Sequence, residues 1–101
     1  MASQIQISSP FLKSYSHTNY TVGITKIKVL DFPDVPKKRI SLIIQNQSPA
    51  TQILYIILNP NDDVGIAISS LSSYVFDNYN GQVWVKGSDA GTVVHIAEAL
   101  N

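Results

Sequence analysis

The sequence predicts a small all-β protein: a single β-sandwich or jelly roll of about seven or eight antiparallel strands, with an extended N-terminal arm. Three observations lead to this prediction. Short apolar segments rich in β-branched residues recur along the chain. Clusters of Gly, Pro, Asn, Asp and Ser separate them at intervals of roughly ten residues. The two apolar segments at the centre of the chain are short, rich in Ile and Leu and bounded by turn-forming residues, which favours buried strands over a helix.

Length and composition limit the possible functions. A chain of 101 residues is one domain by the usual size of domains. Its 7 basic and 7 acidic residues balance, so no net charge attracts it to nucleic acid or to an anionic membrane. Charged residues make up 14% of the chain, whereas a typical soluble domain has about 25%. A surface with so little charge is suited to permanent burial against neighbouring subunits.

The sequence shows neither a membrane span nor a secretory signal. A membrane-spanning helix needs about 18 or more consecutive apolar residues, and the N-terminus lacks the basic start and continuous apolar stretch of a signal peptide. We therefore expect the protein to stay in the cytoplasm of the cell that makes it. The chain has no cysteine, which excludes disulfides and thiolate metal sites.

The N-terminal region, residues 1–18, differs from the rest of the chain. Residues 4–7 alternate polar and apolar before a Ser-Ser-Pro break, and a strand this short needs a host sheet. The region either packs on the domain's own sheet or forms an arm that pairs with a neighbouring subunit by strand addition. We divide the chain into this arm and a β-sandwich domain, residues 19–101. The candidate anchors of the arm are Ile5, Ile7, Phe11, Leu12 and Tyr15.

The first half of the domain contains one predicted strand followed by a predicted hairpin. Residues 19–29 form a β-branched, alternating strand, and a loop with two prolines ends it. Residues 39–58 contain the two central apolar segments, separated by a break that includes Asn46 and Pro49. Asn bonds to nearby backbone and Pro cannot donate to a ladder, so we interpret residues 39–58 as a β-hairpin.

The pattern of the central segments also predicts which faces are buried. Ile40, Leu42 and Ile44 share one face of their strand, which is the better candidate for the core. The second segment, residues 53–58, is apolar on both faces and must be covered on both sides, by its own fold or by a partner. The residues near which we expect other subunits to pack are Ile43, Leu54 and Ile56.

The second half of the domain contains four more predicted strands. They cover residues 64–68, 74–76, 82–86 and 92–97. Asn80 and Gly81 predict a type I′ hairpin turn between the second and third of these strands, because both residues tolerate positive φ. The predicted inward set of the last strand is Thr92, Val94 and Ile96.

No arrangement of residues in the sequence predicts catalysis or a cofactor. His17 and His95 lie on different segments, and no further metal ligands accompany them. Asp62 and Asp63 lie among oxygen-bearing side chains that could hold calcium, but a solvated turn is the better explanation because the spacing is not that of an EF-hand. No two carboxylates are placed for acid and base catalysis. We expect no enzymatic activity, no metal and no cofactor.

Three aromatic residues allow an alternative function. Tyr74, Tyr79 and Trp84 are close in sequence and could line a sugar-binding face. The domain would then be a carbohydrate-binding or receptor-binding module. Packing in the core or at an interface is the other explanation for these rings.

Four segments of the domain follow a recognisable pattern. One strand begins with Arg, alternates aliphatic residues and ends with Asn, and its return strand reads x-Leu-Tyr-aliphatic. The segments are residues 39–46 (RISLIIQN), 53–56 (ILYI), 76–85 (FDNYNGQVWV) and 90–98 (AGTVVHIAE). In these segments the chain resembles a small β-domain of bacteriophage virion proteins of the capsid-associated, decoration and fibre types. It departs from them at residues 68–73 (ISSLSS), where members of this family often carry a Pro-Gly turn.

The resemblance implies a non-enzymatic building block of a virus particle. Its partners would be copies of itself in a cyclic homo-oligomer and other virion proteins, above all the major capsid protein, with no nucleic acid. A vertex (penton-like) or decoration subunit fits better than a long fibre, because the sequence has no fibre repeat or coiled coil. The protein would be made in the host cytoplasm and located in the virion. Under the alternative function it would belong to a virion spike or tail and bind a host glycan.

Overall fold

The computed structural model describes residues 15–101, which form an all-β domain of two four-stranded antiparallel sheets. The predicted fold class is therefore confirmed. The strands are β1 (Ser16–Val22), β2 (Ile27–Leu30), β3 (Arg39–Asn46), β4 (Leu54–Ile57), β5 (Ile66–Ile68), β6 (Ser73–Asp77), β7 (Val83–Gly87) and β8 (Thr92–Leu100).

The strand order is that of a jelly roll. The first sheet has the order β1-β8-β3-β6, and the second has the order β2-β7-β4-β5. Strand β1 pairs with β8, β2 with β7, β3 with β6 and β4 with β5, all antiparallel. These are the pairings of one long hairpin that turns between β4 and β5 and is rolled into two sheets. Most neighbouring strands are consequently distant in sequence.

The core lies between the two sheets and is aliphatic. Strand β3 contributes Leu42 and Ile44, which are fully buried and lie on the face predicted from the alternation. Strand β8 contributes Thr92, Val94 and Ile96, so its predicted inward set is also confirmed. The other buried members of the core cluster are Val22, Val29, Leu54, Ile56, Ile68, Val83 and Val85.

Two predicted connections are wrong, and the jelly-roll topology explains why. Residues 39–58 do not form a hairpin, because β3 lies in the first sheet and β4 in the second. Residues 19–29 are not one strand either: β1 ends at Val22, and β2 begins at Ile27 in the other sheet. Alternation determines which face of a strand is buried, but it does not determine the neighbouring strand.

The predicted turn at Asn80 and Gly81 is also wrong. Strands β6 and β7 belong to different sheets, so the segment between them crosses from one sheet to the other. The residue there with positive φ is Asn78, at 59°. The side chain of Asn80 instead accepts a hydrogen bond from the backbone N–H of Arg39 at 2.6 Å. This Asn therefore connects the start of β3 to the crossing segment.

Across residues 15–101, no helix has the length and hydropathy that crossing a membrane would require.

Candidate assembly surface

Each sheet has two edge strands, which present unpaired backbone groups within the described part of the chain. These strands are β1 and β6 in the first sheet and β2 and β5 in the second. Proteins usually protect such edges with charged or polar residues, bulges or very short strands, because an open edge is a template for another strand.

Three of the four edges have this protection. Strand β1 is polar along most of its length, and its side chains are mainly exposed. Strand β2 has four residues, a register shift between Lys28 and Leu30, and an exposed lysine. Strand β5 has only three residues. None of these edges is a favourable site for adding a strand.

Within residues 15–101, the only protection of the fourth edge, β6, is the charge of Asp77 at its end. Its sequence is Ser-Tyr-Val-Phe-Asp, with three apolar residues in succession and neither Lys nor Pro. Tyr74 is 42% exposed and Val75 is 53% exposed, which is unusual for large apolar side chains next to the core. We refer to residues Ser73–Asp77 as the β6 edge. It combines an open ladder with apolar side chains, the combination expected of a strand-pairing interface.

The inner side of the β6 edge carries a row of aromatic rings. Tyr74 lies opposite Ile44 and Phe76 opposite Leu42, so both rings point toward the core side of the first sheet. The ring centroids of Tyr74 and Phe76 are 4.8 Å apart, and those of Phe76 and Tyr79 are 5.7 Å apart. These spacings are typical of favourable aromatic pairs. The rings form the margin of the core.

The outer side of the β6 edge continues an apolar strip. Val75 lies opposite Ile43 of β3, and Ile43 lies opposite Ala97 of β8. Ile43, which was predicted to lie near other subunits, is half-buried and so remains partly accessible. Ala97 is buried, so the accessible part of the strip is Ile43 and Val75, next to the open edge.

Leu71 extends the apolar surface just before the β6 edge. It has a φ of 62°, which is uncommon for a residue with a Cβ, and its side chain is 71% exposed. Its backbone N–H donates to the carbonyl of Asn46 at 2.7 Å. This hydrogen bond attaches the loop before β6 to the end of β3.

The structure changes the interpretation of two predicted interface residues. Leu54 and Ile56 are fully buried in the chain's own core, so the prediction that they face other subunits is corrected. Strand β4 lies between β7 and β5, and both residues point toward the first sheet. The apolar character of residues 53–58 thus reflects a central strand.

The predicted anchors of the arm fall mostly outside the described residues. This applies to Ile5, Ile7, Phe11 and Leu12. Tyr15 is described: it is exposed, and its hydroxyl donates to Oγ of Ser41 at 2.9 Å. Strand β1, Ser16–Val22, begins directly after it and crosses the predicted boundary between arm and domain.

The three candidate ligand-face aromatics do not lie on one face. Tyr74 and Tyr79 adjoin Phe76 at the margin of the core. Trp84 lies in the second sheet between the buried Val83 and Val85, so it points to the outer face of that sheet. The hydroxyl of Tyr79 donates to the carbonyl of Gln82 at 2.7 Å, and burial raises the pKa of this phenol.

Arg39, which the sequence identified only as part of a pattern, forms the main polar cluster of the fold. Its side chain is 1% exposed, and its Nε donates to Oε2 of Glu98 at 2.7 Å. The remaining guanidinium N–H groups donate to the carbonyls of Tyr79, Gly81 and Asp31 at 3.1, 2.8 and 2.8 Å. One side chain thereby joins β3, β8 and the segments that cross between the sheets.

Asn46 has the corresponding role at the other end of β3. Its buried Nδ2 donates to the carbonyls of Gln52 and Ile68 at 3.0 and 2.9 Å, and its Oδ1 accepts from the backbone N–H of Ser48. The pattern of Arg, aliphatic residues and Asn thus describes one strand with a polar clamp at each end. The identities of Arg39 and Asn46 alone do not predict these clamps, because the acceptors are known only once the segments that lie beside β3 are known.

The two histidines meet on the outer face of the first sheet. Nδ1 of His95 lies at hydrogen-bond distance from Oδ1 of Asn19, and because an amide oxygen only accepts, this contact fits the tautomer of His95 with its proton on Nδ1. Nε2 of His95 lies 2.9 Å from Nδ1 of His17, and in that tautomer it is the acceptor. Among residues 15–101, no three His, Asp or Glu side chains converge as metal ligands. The pair acts as a hydrogen-bonded link between β1 and β8.

The loop that contains Asp62 and Asp63 is attached to the second sheet by a lysine. Nζ of Lys26 donates to the carbonyls of Pro60 and Asp62. The ammonium group of Lys26 therefore binds backbone oxygens of the loop for which the sequence allowed a calcium site.

Comparisons with known proteins bear on the fold. No family model matches the sequence, and no curated protein matches it. The chain is similar in structure to a protein of Bacillus endospore appendages, which are described as a novel family of disulfide-linked pili. The TM-score is 0.61 with 11% sequence identity, and the alignment covers 99% of this chain and 95% of the other. At this identity the likeness shows the fold alone.

Proposed function

We propose that this protein is a non-enzymatic structural subunit that acts by self-assembly, as a vertex or decoration subunit of a bacteriophage virion. The observation that carries the proposal is the β6 edge, which pairs on one side only among residues 15–101 and exposes Tyr74 and Val75. A protein that remained a monomer would be expected to protect such an edge.

Two further observations support assembly. Charged residues are only 14% of the chain, which suits a surface that neighbouring subunits cover. The exposed Val75 and the half-buried Ile43 supply apolar area next to the open ladder. A cyclic homo-oligomer satisfies such an edge without forming an open-ended fibre.

The virion role rests on the resemblance of residues 39–46, 53–56, 76–85 and 90–98 to phage β-domains. The similar pilus protein is also part of an assembly, which is described as disulfide-linked. The present chain has no cysteine, so disulfides cannot join its copies. A particle in which many weak contacts act together provides the required avidity.

Two experiments test the proposal. Light scattering at several protein concentrations should show a discrete oligomer, and a monomer at every concentration would contradict self-assembly. Antibodies against the purified protein should label intact virions isolated from cells that produce the protein. Electron microscopy should show the label at the vertices or over the shell. Labelling of the cytoplasm but not of particles would contradict the virion role while leaving self-assembly standing.

A further inference from the structure

We infer that the β6 edge pairs with the β6 edge of a second copy of this chain, antiparallel and with the two Val75 residues directly opposite each other. The inference rests on the proposed self-assembly and names its contact, a two-fold contact that suits a dimeric decoration subunit rather than the ring of a vertex. The first sheets of the two subunits would then form one continuous eight-stranded sheet, with a two-fold axis at Val75.

The sequence of β6 is self-complementary in this register. With Val75 opposite Val75, the ring of Tyr74 lies opposite Phe76 of the second copy. Ser73 lies opposite Asp77 of the second copy, where its hydroxyl can donate to the carboxylate. Each of these pairs occurs twice. The single charged residue of the strand, Asp77, does not face its own copy.

The inner and outer faces of the two sheets match in the same arrangement. Tyr74 and Phe76 both point to the core side, so the aromatic row continues from one subunit into the next. Ile43 and Val75 share the outer face, so their strip becomes continuous across the axis. Both faces thus bury apolar side chains that are exposed in the single chain.

Neighbouring registers lack this agreement. A shift by one residue places Val75 opposite a ring, which turns the second subunit over, so that its inner face continues the outer face of the first and the two-fold axis is lost. A shift by two places Val75 opposite either Ser73 or Asp77 and removes the pairing of Tyr74 with Phe76. The register centred on Val75 is therefore the one in which every apolar side chain of the strand faces another.

The contact is short, so we expect the paired subunits to predominate only at the higher protein concentrations of a light-scattering series. Stable interfaces bury about 800 Å² on each partner, more than a five-residue edge supplies. Covalent trapping is therefore the appropriate measurement. The chain has no cysteine, so a single introduced cysteine reports on its own position.

The test uses the full chain with Val75→Cys under mild oxidation, analysed on a non-reducing gel. Two cysteines directly opposite on antiparallel strands lie within disulfide distance, whereas copies of Tyr74→Cys would be about 7–8 Å apart on the diagonal. We expect a covalent dimer of Val75→Cys that forms more than about tenfold faster than that of the matched control Tyr74→Cys. Circular dichroism confirms that both variants are folded.

Three results would overturn the inference. One is that Val75→Cys forms no covalent dimer although light scattering shows the preparation to be oligomeric. Self-assembly would then stand, but it would use another contact. Another is equal cross-linking of Val75→Cys and Tyr74→Cys. The third is a disulfide between Gln6→Cys of one copy and Val75→Cys of another, in a sample where no Val75→Cys dimer forms. That result would show that the arm of a second copy, and not its β6 edge, pairs with the β6 edge. A preparation that is monomeric throughout contradicts the proposed function itself.

Discussion

Nε of Arg39 donates to Oε2 of Glu98 at 2.7 Å, and this ion pair joins the first residue of β3 to the end of β8. The Arg39 side chain is almost fully buried, and its acceptors lie on β8, on the segment between β6 and β7 and on the segment between β2 and β3. A buried guanidinium with four of its five N–H groups bonded in this way is a structural clamp. The clamp keeps the β6 edge in place, because Tyr79 follows that edge directly.

Replacing Arg39 should destabilise the domain strongly. Arg39→Met leaves Glu98 without its cation and three carbonyls without their donor, so we expect the free energy of unfolding to fall by about 3–5 kcal/mol. Urea unfolding monitored by Trp84 fluorescence measures this change. The exposed neighbour Lys38 provides the control, and a loss from Arg39→Met as small as that from Lys38→Met would contradict the clamp.

Replacing Asn46 tests the second clamp. Asn46→Ala leaves the carbonyls of Gln52 and Ile68 and the N–H of Ser48 without their partner, which should reduce the free energy of unfolding by about 2–3 kcal/mol. The same urea experiment measures it. Asn61→Ala, in an exposed turn, is the matched control. Equal stability of the two variants would show that the buried amide has no such role.

The faces of the strands could be predicted from the sequence, whereas their partners could not. The alternation around Leu42, Ile44, Val94 and Ile96 predicts buried faces, because side chains of a strand alternate between its two sides. The order of strands depends on pairs far apart in sequence, such as β1 with β8. The alternation of apolar and polar residues along one strand carries no information about which other strand lies beside it. The expected hairpin over residues 39–58 failed for this reason.

The candidate site could be predicted only in part. Ile43 was identified from its position on the less apolar face of its strand, and it does lie beside the open edge. Leu54 and Ile56 were misassigned because a central strand and an interface strand have the same apolar pattern. The exposure of Val75 follows from the edge position of β6, which only the sheet order reveals.

The carboxylate of Asp31 should make stability depend on pH in the acid range. Hydrogen bonds from Gln82, from the backbone N–H of Phe32 and from Lys28 lower the pKa of Asp31 from 3.8 to about 2. Because this pKa is lower in the folded state, the contribution is present above about pH 4 and is lost as pH falls through about 2. The difference in unfolding free energy between wild type and Asp31→Asn should therefore shrink over this range. Asp34→Asn controls for the loss of one charge, and a pH-independent difference would contradict the prediction.

The geometry of His17, His95 and Asn19 predicts one tautomer for both rings. Each neutral imidazole should carry its proton on Nδ1, because His95 donates to Asn19 and accepts from His17. Nitrogen-15 chemical shifts of the two rings at neutral pH measure this directly. Asn19→Ala should change the shifts of His95 and leave the fold intact. A proton on Nε2 of His95 would contradict the network.

The mass of the full-length protein in solution, measured by light scattering over a range of concentrations, tests the central claim of self-assembly through the β6 edge most directly. We expect a discrete oligomer, and we expect Val75→Lys to reduce its mass, because a lysine on an edge strand opposes pairing. Thr21→Lys, on the opposite edge of the same sheet, should leave the mass unchanged. A wild-type protein that is monomeric at every concentration, or a Val75→Lys variant with an unchanged oligomer, would contradict the claim.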